Sequence, residues 1–566
     1  MRAPDTPKRK RRRSENDSVP LAMSSNGPAT NRLLILGLDG GTFDLIRPWV
    51  EQGRMPTFAR IMREGSWCNL KSVPNINTAP AWTSFMTGKN PGKHGIFWFA
   101  EEGDEVGEVR FVTAADRRST TLWRLLSDGG HKLCVMNVPL TYPVEQIDGV
   151  MVAGFDAPSV ASRNFTHPEG LMTEVQAATG AYRLNAAVAG HASAGRRDRV
   201  VAEALRAEES RLGAALYLMS TKPWDTFMFM IKATDQAAHY LWDRHSESQE
   251  ALWPIYEYAD RALARLLNTA GSDCGLIIMS DHGMGWRQPA AEFLNDILSE
   301  LGYVKRRAAR GQGSTWRAFR LAKRLGPRVK GLLKTTLPGL YSRFGYKVRF
   351  GNIDWSGTRA YCDNTRSCIW INLDGRNPNG IVEREGYDSL VEELREVVRE
   401  LTDPATGAGV VGAVWRPEEI YSGPHVHLAP DLQIDWLYER PVEGLAYKGR
   451  FGEVESRKPA KGFMNNLTGA HRPLGVLLMH GPQFKASAEI DGARLEDLAP
   501  TVLHLAGVPI PDDMDGRVLA EALAEPYASW PPTFGAPGED GPTAAAEYSA
   551  EEAAEVEERL RALGYL

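Results

Sequence analysis

The chain has 566 residues, 43% of them hydrophobic, so it can bury a large core, and we expect one elaborated domain with insertions. Its net charge of -5 argues against a polyanionic partner for the molecule as a whole. The five cysteines are scattered, odd in number and without a Cys-x-x-Cys pair, which favours reduced thiols in a cytoplasmic protein.

The first 31 residues are predicted to be a disordered basic tail. They combine a basic run, Lys8 to Arg13, with small and polar residues. They contain no apolar stretch long enough for a signal peptide or a membrane span. Such a run could bind nucleic acid or anionic lipid, but a solvated tail is the simpler interpretation, and no specific nucleic-acid partner is expected.

Three short apolar runs predict buried parallel strands, and an aspartate follows each of them. The runs are 33–38, 227–232 and 276–280, and the aspartates are Asp39, Asp235 and Asp281. One such acid could simply cap a following helix. Three of them at the carboxyl edge of one sheet would crowd like charges together unless a cation neutralised them.

A hydroxyl at a helix start is the candidate nucleophile. Pro74 keeps the chain extended, Thr78 occupies the expected N-cap position, Pro80 falls in the first turn and Gly88 ends the helix. The Thr78 oxygen could only cap the helix, or it could attack a phosphate held by backbone N–H groups of the first turn. The second role requires something that lowers the pKa of the hydroxyl, and a bound metal is the commonest device.

Three histidines accompany the strand-end acids. Asp235 and His239 are four residues apart, which places both side chains on one helix face, and His282 follows Asp281 directly. His471 lies in a glycine-bounded loop just before another predicted strand. Imidazoles beside clustered carboxylates are typical of metal ligands.

The segments between the ligand-bearing strands are expected to select the substrate. From Lys305 to Phe350 the chain has fourteen Lys or Arg residues and no Asp or Glu. A solvated basic cap over a negative site and an amphipathic lid that meets an anionic membrane surface both fit this pattern. The predicted segments are a core over 32–304 with a helical cap insert at about 155–220, a basic lid over 305–355, the rest of the core over 356–525, and a linker with a C-terminal helix over 526–566.

Taken together, these residues resemble the alkaline phosphatase superfamily, and within it the type I phosphodiesterase/nucleotide pyrophosphatase group. The motifs are Asp39, Thr78-x-Pro80, Thr87-Gly88, His94-Gly95-Ile96, Asp235-x-x-x-His239, Asp281-His282-Gly283 and Gly469-x-His471. Further similarity lies in Met514 to Arg517 and in Leu563 to Leu566. The resemblance implies an α/β fold with a mostly parallel central sheet, flanking helices and inserted cap segments.

The resemblance also implies a site with two divalent metal ions. One ion would be held by Asp39, Thr78, Asp281 and His282, and the other by Asp235, His239 and His471. Carboxylate and imidazole ligands suit Zn²⁺ first and Mn²⁺ second. Thr78 would be the catalytic nucleophile of a phosphohydrolase that forms a phosphothreonine intermediate. The substrate would be a small phosphodiester, with a phosphomonoester as the alternative.

Other functions stay open on the sequence alone. A metal-dependent phosphomutase or phosphotransferase of the same superfamily is the alternative enzyme, although such enzymes usually use serine where this chain has Thr78. An anionic-lipid or nucleic-acid binding protein without catalysis is the alternative of another class, and the intact ligand set argues against it. Phe99 stands where nucleotide pyrophosphatases generally place an asparagine, which disfavours a nucleotide diester. The oligomeric state is left open.

Overall fold

The computed structural model describes residues 32–102, 109–307, 353–362, 366–439, 442–457, 467–538 and 548–562. Three segments singled out in the sequence therefore lie outside the described residues: the tail over 1–31, nearly all of the basic lid, and the closing four residues. The statements that follow concern only the described part of the chain.

The largest sheet among the described residues has eight strands in the order β2-β18-β9-β1-β8-β5-β6-β7. Its strands are β1 (Leu33–Leu38), β2 (Ser66–Lys71), β5 (Leu133–Val138), β6 (Gly149–Ala153), β7 (Thr166–His167), β8 (Thr226–Ile231), β9 (Gly275–Met279) and β18 (Leu474–His480). Strands β9, β1, β8, β5 and β6 run parallel, whereas β18 is antiparallel to β9 and β2, and β7 to β6. The prediction of a mostly parallel central sheet is confirmed.

Apolar side chains on both faces explain why the central strands lie inside the molecule. In β1, Leu34 and Leu36 belong to the core on one face of the sheet, and Leu33 and Ile35 to the core on the other. A strand of a parallel sheet that is covered on both faces has a continuous apolar sequence, and β1, β8 and β9 show this pattern.

Helices cover both faces of this sheet. The α-helices of the described residues are α1 (Phe43–Glu51), α2 (Pro56–Glu64), α3 (Thr78–Thr87), α4 (Pro91–His94), α5 (Leu122–Asp128), α6 (Leu171–Thr179), α7 (Val188–Ser193), α8 (Arg197–Thr221), α9 (Ala233–Leu241), α10 (Trp253–Ala270), α11 (Ala290–Glu300), α12 (Arg384–Arg399), α13 (Pro417–Ile420), α14 (Leu498–Ala506) and α15 (Ala550–Ala562). Helices α1, α2, α8, α9 and α10 pack on one face, and α3, α5, α14 and α15 on the other. None of the described helices combines the length and the apolarity needed to cross a bilayer.

Smaller sheets are inserted around the central one. A four-stranded antiparallel sheet in the order β11-β12-β14-β13 packs against α11 and α12 around a core of its own. Its strands are β11 (Ala360–Cys362), β12 (Cys368–Ile371), β13 (Val411–Trp415) and β14 (Leu432–Trp436). The paired short strands are β3 (Ala100–Glu102) with β4 (Val109–Phe111), β10 (Gly283–Trp286) with β17 (Gly469–Arg472), β15 (Leu445–Gly449) with β16 (Gly452–Ser456), and β19 (Ile510–Pro511) with β20 (Phe534–Gly535).

The pair of β10 and β17 brings a distant histidine to the sheet edge. His471 was predicted in a loop, and that prediction is wrong: it lies in β17, opposite Met284 of β10. Strand β17 runs so close to α9 that a Cβ atom on Gly469 would lie 2.2 Å from the carbonyl oxygen of Ala238. Tertiary pairing, rather than local propensity, therefore makes this segment a strand.

We expect Gly469→Ala to destabilise the protein by about 1 to 3 kcal/mol, because the added methyl group meets backbone that cannot move aside. The matched control is Gly386→Ala in α12, where a Cβ meets nothing within 4 Å and should be neutral or stabilising by up to about 1 kcal/mol. Urea unfolding of both variants measures the difference, and equal stabilities would contradict the close approach of β17 to α9.

Candidate active site

The three predicted acids meet at the carboxyl edge of neighbouring strands. Strand β1 lies between β9 and β8, and each of these strands leads directly to one acid. Asp39 follows β1, Asp281 follows β9, and Asp235 lies in the first turn of α9 after β8. All three side chains are fully buried. The structure therefore concentrates three carboxylates where a parallel sheet usually binds its ligands.

One half of the cluster is built from Asp235 and two imidazoles. Nε2 of His239 lies 3.1 Å from Oδ1 of Asp235, one helical turn away in α9 as predicted. Nε2 of His471 lies 3.4 Å from the same oxygen and 3.1 Å from Nε2 of His239. Strand β17 thus delivers His471 to the acid that the sequence paired with it.

The other half contains Asp39, Asp281, His282 and Thr78. Nε2 of His282 lies 3.1 Å from Oδ2 of Asp281 and 3.8 Å from Oδ1 of Asp39. The hydroxyl of Thr78 lies 3.2 Å from the same nitrogen. The backbone N–H of Gly40 donates to Oδ1 of Asp281 at 3.2 Å, which ties the turn after β1 to the turn after β9.

Backbone carbonyls orient all three imidazoles in the same way. Nδ1 of His239 donates to the carbonyl of Gly469 at 3.1 Å, and Nδ1 of His471 to that of Ile76 at 3.0 Å. Nδ1 of His282 donates to the carbonyl of Gly283 at 3.0 Å. Because a carbonyl can only accept, each Nδ1 carries the proton and each Nε2 faces the carboxylates. Metal-binding histidines in proteins are commonly held in this way.

The start of α3 differs from its prediction by one residue. Asn77, not Thr78, is the N-cap: its side-chain oxygen accepts from the N–H of Ala79 at 3.2 Å. Capping is thus performed by the neighbour, and the Thr78 hydroxyl points to His282 instead. The predicted phosphate cradle of first-turn N–H groups is also reduced, because Ala79 already donates to Asn77 and Pro80 has no N–H.

Burial and mutual repulsion dominate the electrostatics of the cluster. Burial raises the pKa of Asp39 well above its usual range, and the charges of Asp281 and Asp235 raise it further. Burial and Asp235 likewise raise the pKa of Asp281. For Asp235 burial acts in the same direction, but the charge and hydrogen bonds of His239 and His471 hold its pKa well below the usual value.

These residues fit divalent cations. Neither carboxylate oxygen of Asp39 has a hydrogen-bond partner among the described residues, although the side chain is fully buried. Two sets of ligand atoms lie within 4.8 Å of one another: Asp39 with Asp281 and His282, and Asp235 with His282 and His471. His239 and Thr78 adjoin these sets through the contacts given above. Such mixed carboxylate and imidazole donors suit zinc or manganese.

Sequence reasoning missed Lys232, which ends the run before Asp235. Its side chain is buried, and Nζ lies 3.7 Å from Oδ2 of Asp39. Burial lowers the pKa of Lys232, while Asp39 and Asp235 raise it. The sequence did contain an indication of this residue: a lysine ends an otherwise apolar run, and acids follow the two other apolar runs.

His94 lies apart from the cluster. Its Nδ1 accepts from the N–H of Ile96 at 3.1 Å, and Nε2 contacts the hydroxyl of Ser84 at 3.0 Å. Burial lowers the pKa of this imidazole well below its usual value. His94 therefore holds the turn after α4 against α3.

One family of known proteins matches most of the chain. The family described as type I phosphodiesterase / nucleotide pyrophosphatase matches residues 33–437, which include every cluster residue except His471. Over 50 residues the chain is 50% identical to a 2,3-bisphosphoglycerate-independent phosphoglycerate mutase of Cereibacter sphaeroides, a match that spans only 9% of either chain.

The solved structures that resemble this chain have low sequence identity to it. A multiply substituted form of the alkaline phosphatase PafA has a TM-score of 0.50 at 13% identity, covering 88% of this chain and all of that one. Phosphonoacetate hydrolase from Sinorhizobium meliloti, solved with phosphonoformate, has a TM-score of 0.49 at 15% identity, covering 84% of this chain and 96% of that one. At such identities the likeness to PafA shows the fold alone.

We expect Asp281→Asn to stabilise the metal-free protein relative to the wild type, and increasingly so as pH rises. The raised pKa of Asp281 means that the folded wild type keeps a proton that the unfolded chain releases above about pH 4, so its stability falls between that pH and the raised pKa. Asparagine does not titrate and can still accept from Gly40. Urea unfolding at pH 5 and pH 8 with a chelator measures the difference, and a difference that does not grow with pH would contradict the buried charge cluster.

Proposed function

Since this chain belongs to the type I phosphodiesterase/nucleotide pyrophosphatase family, we propose that it is a two-metal-dependent phosphohydrolase acting through Thr78, on phosphodiesters before phosphomonoesters. The observation that carries the proposal is the position of the Thr78 hydroxyl. It lies at the start of α3, 3.2 Å from Nε2 of His282, the nitrogen that also contacts the buried carboxylates of Asp281 and Asp39. Its neighbour Asn77 caps the helix, so capping does not explain the threonine.

Seven residues are proposed as metal ligands. One cation would be held by Asp39, Thr78, Asp281 and His282, and the other by Asp235, His239 and His471. The orientation of the three imidazoles supports this assignment, because each presents Nε2 to the carboxylates. The donor types favour Zn²⁺ first and Mn²⁺ second.

The proposed reaction proceeds in two displacements at phosphorus. When bound, two divalent cations lower the pKa of the Thr78 hydroxyl and offset the charge on the departing oxygen. The Thr78 oxygen forms a bond to phosphorus, the bond from phosphorus to the leaving oxygen breaks, and the departing alkoxide is protonated to the alcohol. Water then attacks the phosphothreonine, which releases a phosphomonoester and restores the hydroxyl.

The surroundings of the site bear on the substrate class. Phe99 stands where the family generally has an asparagine that holds a phosphate oxygen. It is buried, and its ring centroid lies 5.8 Å from that of Phe155. A phenyl ring cannot donate that hydrogen bond. This departure from the family pattern disfavours a nucleotide diester as the substrate.

Phosphoryl transfer to a second hydroxyl is the other candidate function. It is favoured by the short match to a phosphoglycerate mutase, whereas Thr78 in place of the usual serine disfavours it. Incubation with 3-phosphoglycerate, followed by phosphorus NMR, separates the two functions: inorganic phosphate supports hydrolysis, and 2-phosphoglycerate supports transfer.

We expect Thr78→Ala to lower kcat for bis-p-nitrophenyl phosphate and p-nitrophenyl phosphate by more than about 10³-fold, because the nucleophile is removed. The protein should still bind two zinc ions per chain by elemental analysis, since six of the seven proposed ligands remain. Thr78→Ser should keep part of the activity.

Thr87→Ala is the matched control, because Thr87 lies at the other end of α3 and its hydroxyl only donates to the carbonyl of Thr83. It should leave kcat within about twofold. A Thr78→Ala protein with wild-type turnover would end the nucleophile assignment, and a wild type without metal would end the two-metal assignment.

A further inference from the structure

We infer that Arg559, in the last described helix, is a positioning residue for the metal site and acts on Asp39 through Lys232. The inference rests on the proposed function, because its consequence is the binding of cations at Asp39. It is carried by a continuous chain of contacts from α15 to the edge of the sheet. The connecting segment, Gly154–Pro158, follows β6 and is called the β6 loop here.

Arg559 binds the backbone of the β6 loop at three points. One terminal nitrogen donates to the carbonyl of Phe155 at 2.9 Å and also to that of Ala157. The other donates to the carbonyl of Pro158 at 2.8 Å. A planar guanidinium that holds three carbonyls fixes the loop's path more firmly than a single ammonium donor could.

The helix that carries Arg559 is itself held on the core. Val556 and Leu560 are each only 1% exposed and belong to the same apolar core as α3. Just before α15, the ring of Tyr548 stacks on Tyr142 with centroids 5.9 Å apart, and its hydroxyl donates to the carbonyl of Asp156 at 3.2 Å. Helix α15 is therefore fixed on the core, and the β6 loop is hydrogen-bonded to it.

The β6 loop in turn supports Lys232. Nζ of Lys232 lies 3.1 Å from the centroid of the Phe155 ring, which is a close cation–π contact between two buried side chains. A displaced Phe155 would leave the buried ammonium without this contact, so the position of the loop determines the position of the charge.

Lys232 lies beside Asp39, whose side chain makes no hydrogen bond to the described residues. Nζ lies 3.7 Å from Oδ2 of Asp39, whose two oxygens have no hydrogen-bond partner in the described part of the chain. Within the cluster, the ion pair with Lys232 and the contact to His282 are thus what orient this carboxylate. Loss of an outer partner of a ligating carboxylate typically weakens metal affinity or activity by 10- to 100-fold.

A purely structural role for Arg559 would give a different pattern of effects. If Arg559 only stabilised the fold, its removal and that of Lys232 would act independently, and their effects on cation binding would add. If Arg559 acts through Lys232, its removal has no further effect once Lys232 has been neutralised. The interaction between the two substitutions is therefore the deciding quantity.

The experiment compares the full-length wild type with Arg559→Met, Lys232→Met and the double variant. Zinc affinity is measured on metal-stripped protein by competition with a chromophoric chelator. We expect each single variant to change zinc affinity by about tenfold in the same direction, and the double variant to differ from the wild type by no more than Lys232→Met does. Arg559→Lys should recover part of the change. Glu551→Gln, on the exposed side of α15, is the control and should stay within twofold.

Hydrogen exchange on the metal-free protein gives a readout that does not depend on zinc. Arg559→Met should speed exchange at residues 155–157 and also at Gly40, whose N–H donates to Asp281 beside Asp39. Faster exchange that stops at the β6 loop, or additive changes in zinc affinity, would overturn the inference while leaving the proposed function intact. A wild type that binds no zinc would overturn the proposed function, and the exchange at Gly40 would still decide whether Arg559 reaches the site.

Discussion

Three buried carboxylates lie together at the ends of three adjacent strands, and the rest of the site must compensate their negative charge. Asp39, Asp235 and Asp281 cannot all be ionised there unless positive charge is supplied. In the metal-free protein, protons on Asp39 and Asp281 and the ammonium of Lys232 offset the negative charge, and His239 and His471 hold the pKa of Asp235 low. A pair of divalent cations would replace the protons and release them to solvent, so cation binding and ionisation of the cluster are one coupled equilibrium.

The rest of the site places imidazole nitrogens and the Thr78 oxygen around the three carboxylates. Three backbone carbonyls hold the imidazoles with Nε2 directed inward, and Asn77 caps α3 so that the Thr78 oxygen is available to the site. The proposed ligands come from segments far apart in sequence: the turns after β1 and β9, the first turns of α3 and α9, and the short strand β17. Short turns fixed by buried strands, together with helix starts, thus place the reacting groups, which favours the precise geometry that in-line displacement needs.

Much of this arrangement follows from the sequence, and the failures have identifiable causes. Strands β1, β8 and β9 were predicted correctly because their apolar runs are continuous and are followed by aspartates, and the resemblance identified the family. The cap of α3 was misplaced because Asn77 and Thr78 are both good capping residues and only the folded chain decides between them. His471 was assigned to a loop because its strand forms only by pairing with β10, a contact that no local pattern encodes. Lys232 was overlooked because a lysine after an apolar run resembles an ordinary strand boundary. The predicted basic lid lies outside the described residues.

The central claim is that the clustered acids and imidazoles seat two cations beside the Thr78 oxygen. Anomalous diffraction at the zinc edge, from crystals of the full-length protein grown with zinc, tests it most directly. The account predicts two peaks about 4 Å apart, one bounded by Asp39, Asp281, His282 and Thr78 and the other by Asp235, His239 and His471. The absence of a zinc peak at the cluster, or a single peak that is not next to Thr78, would contradict it.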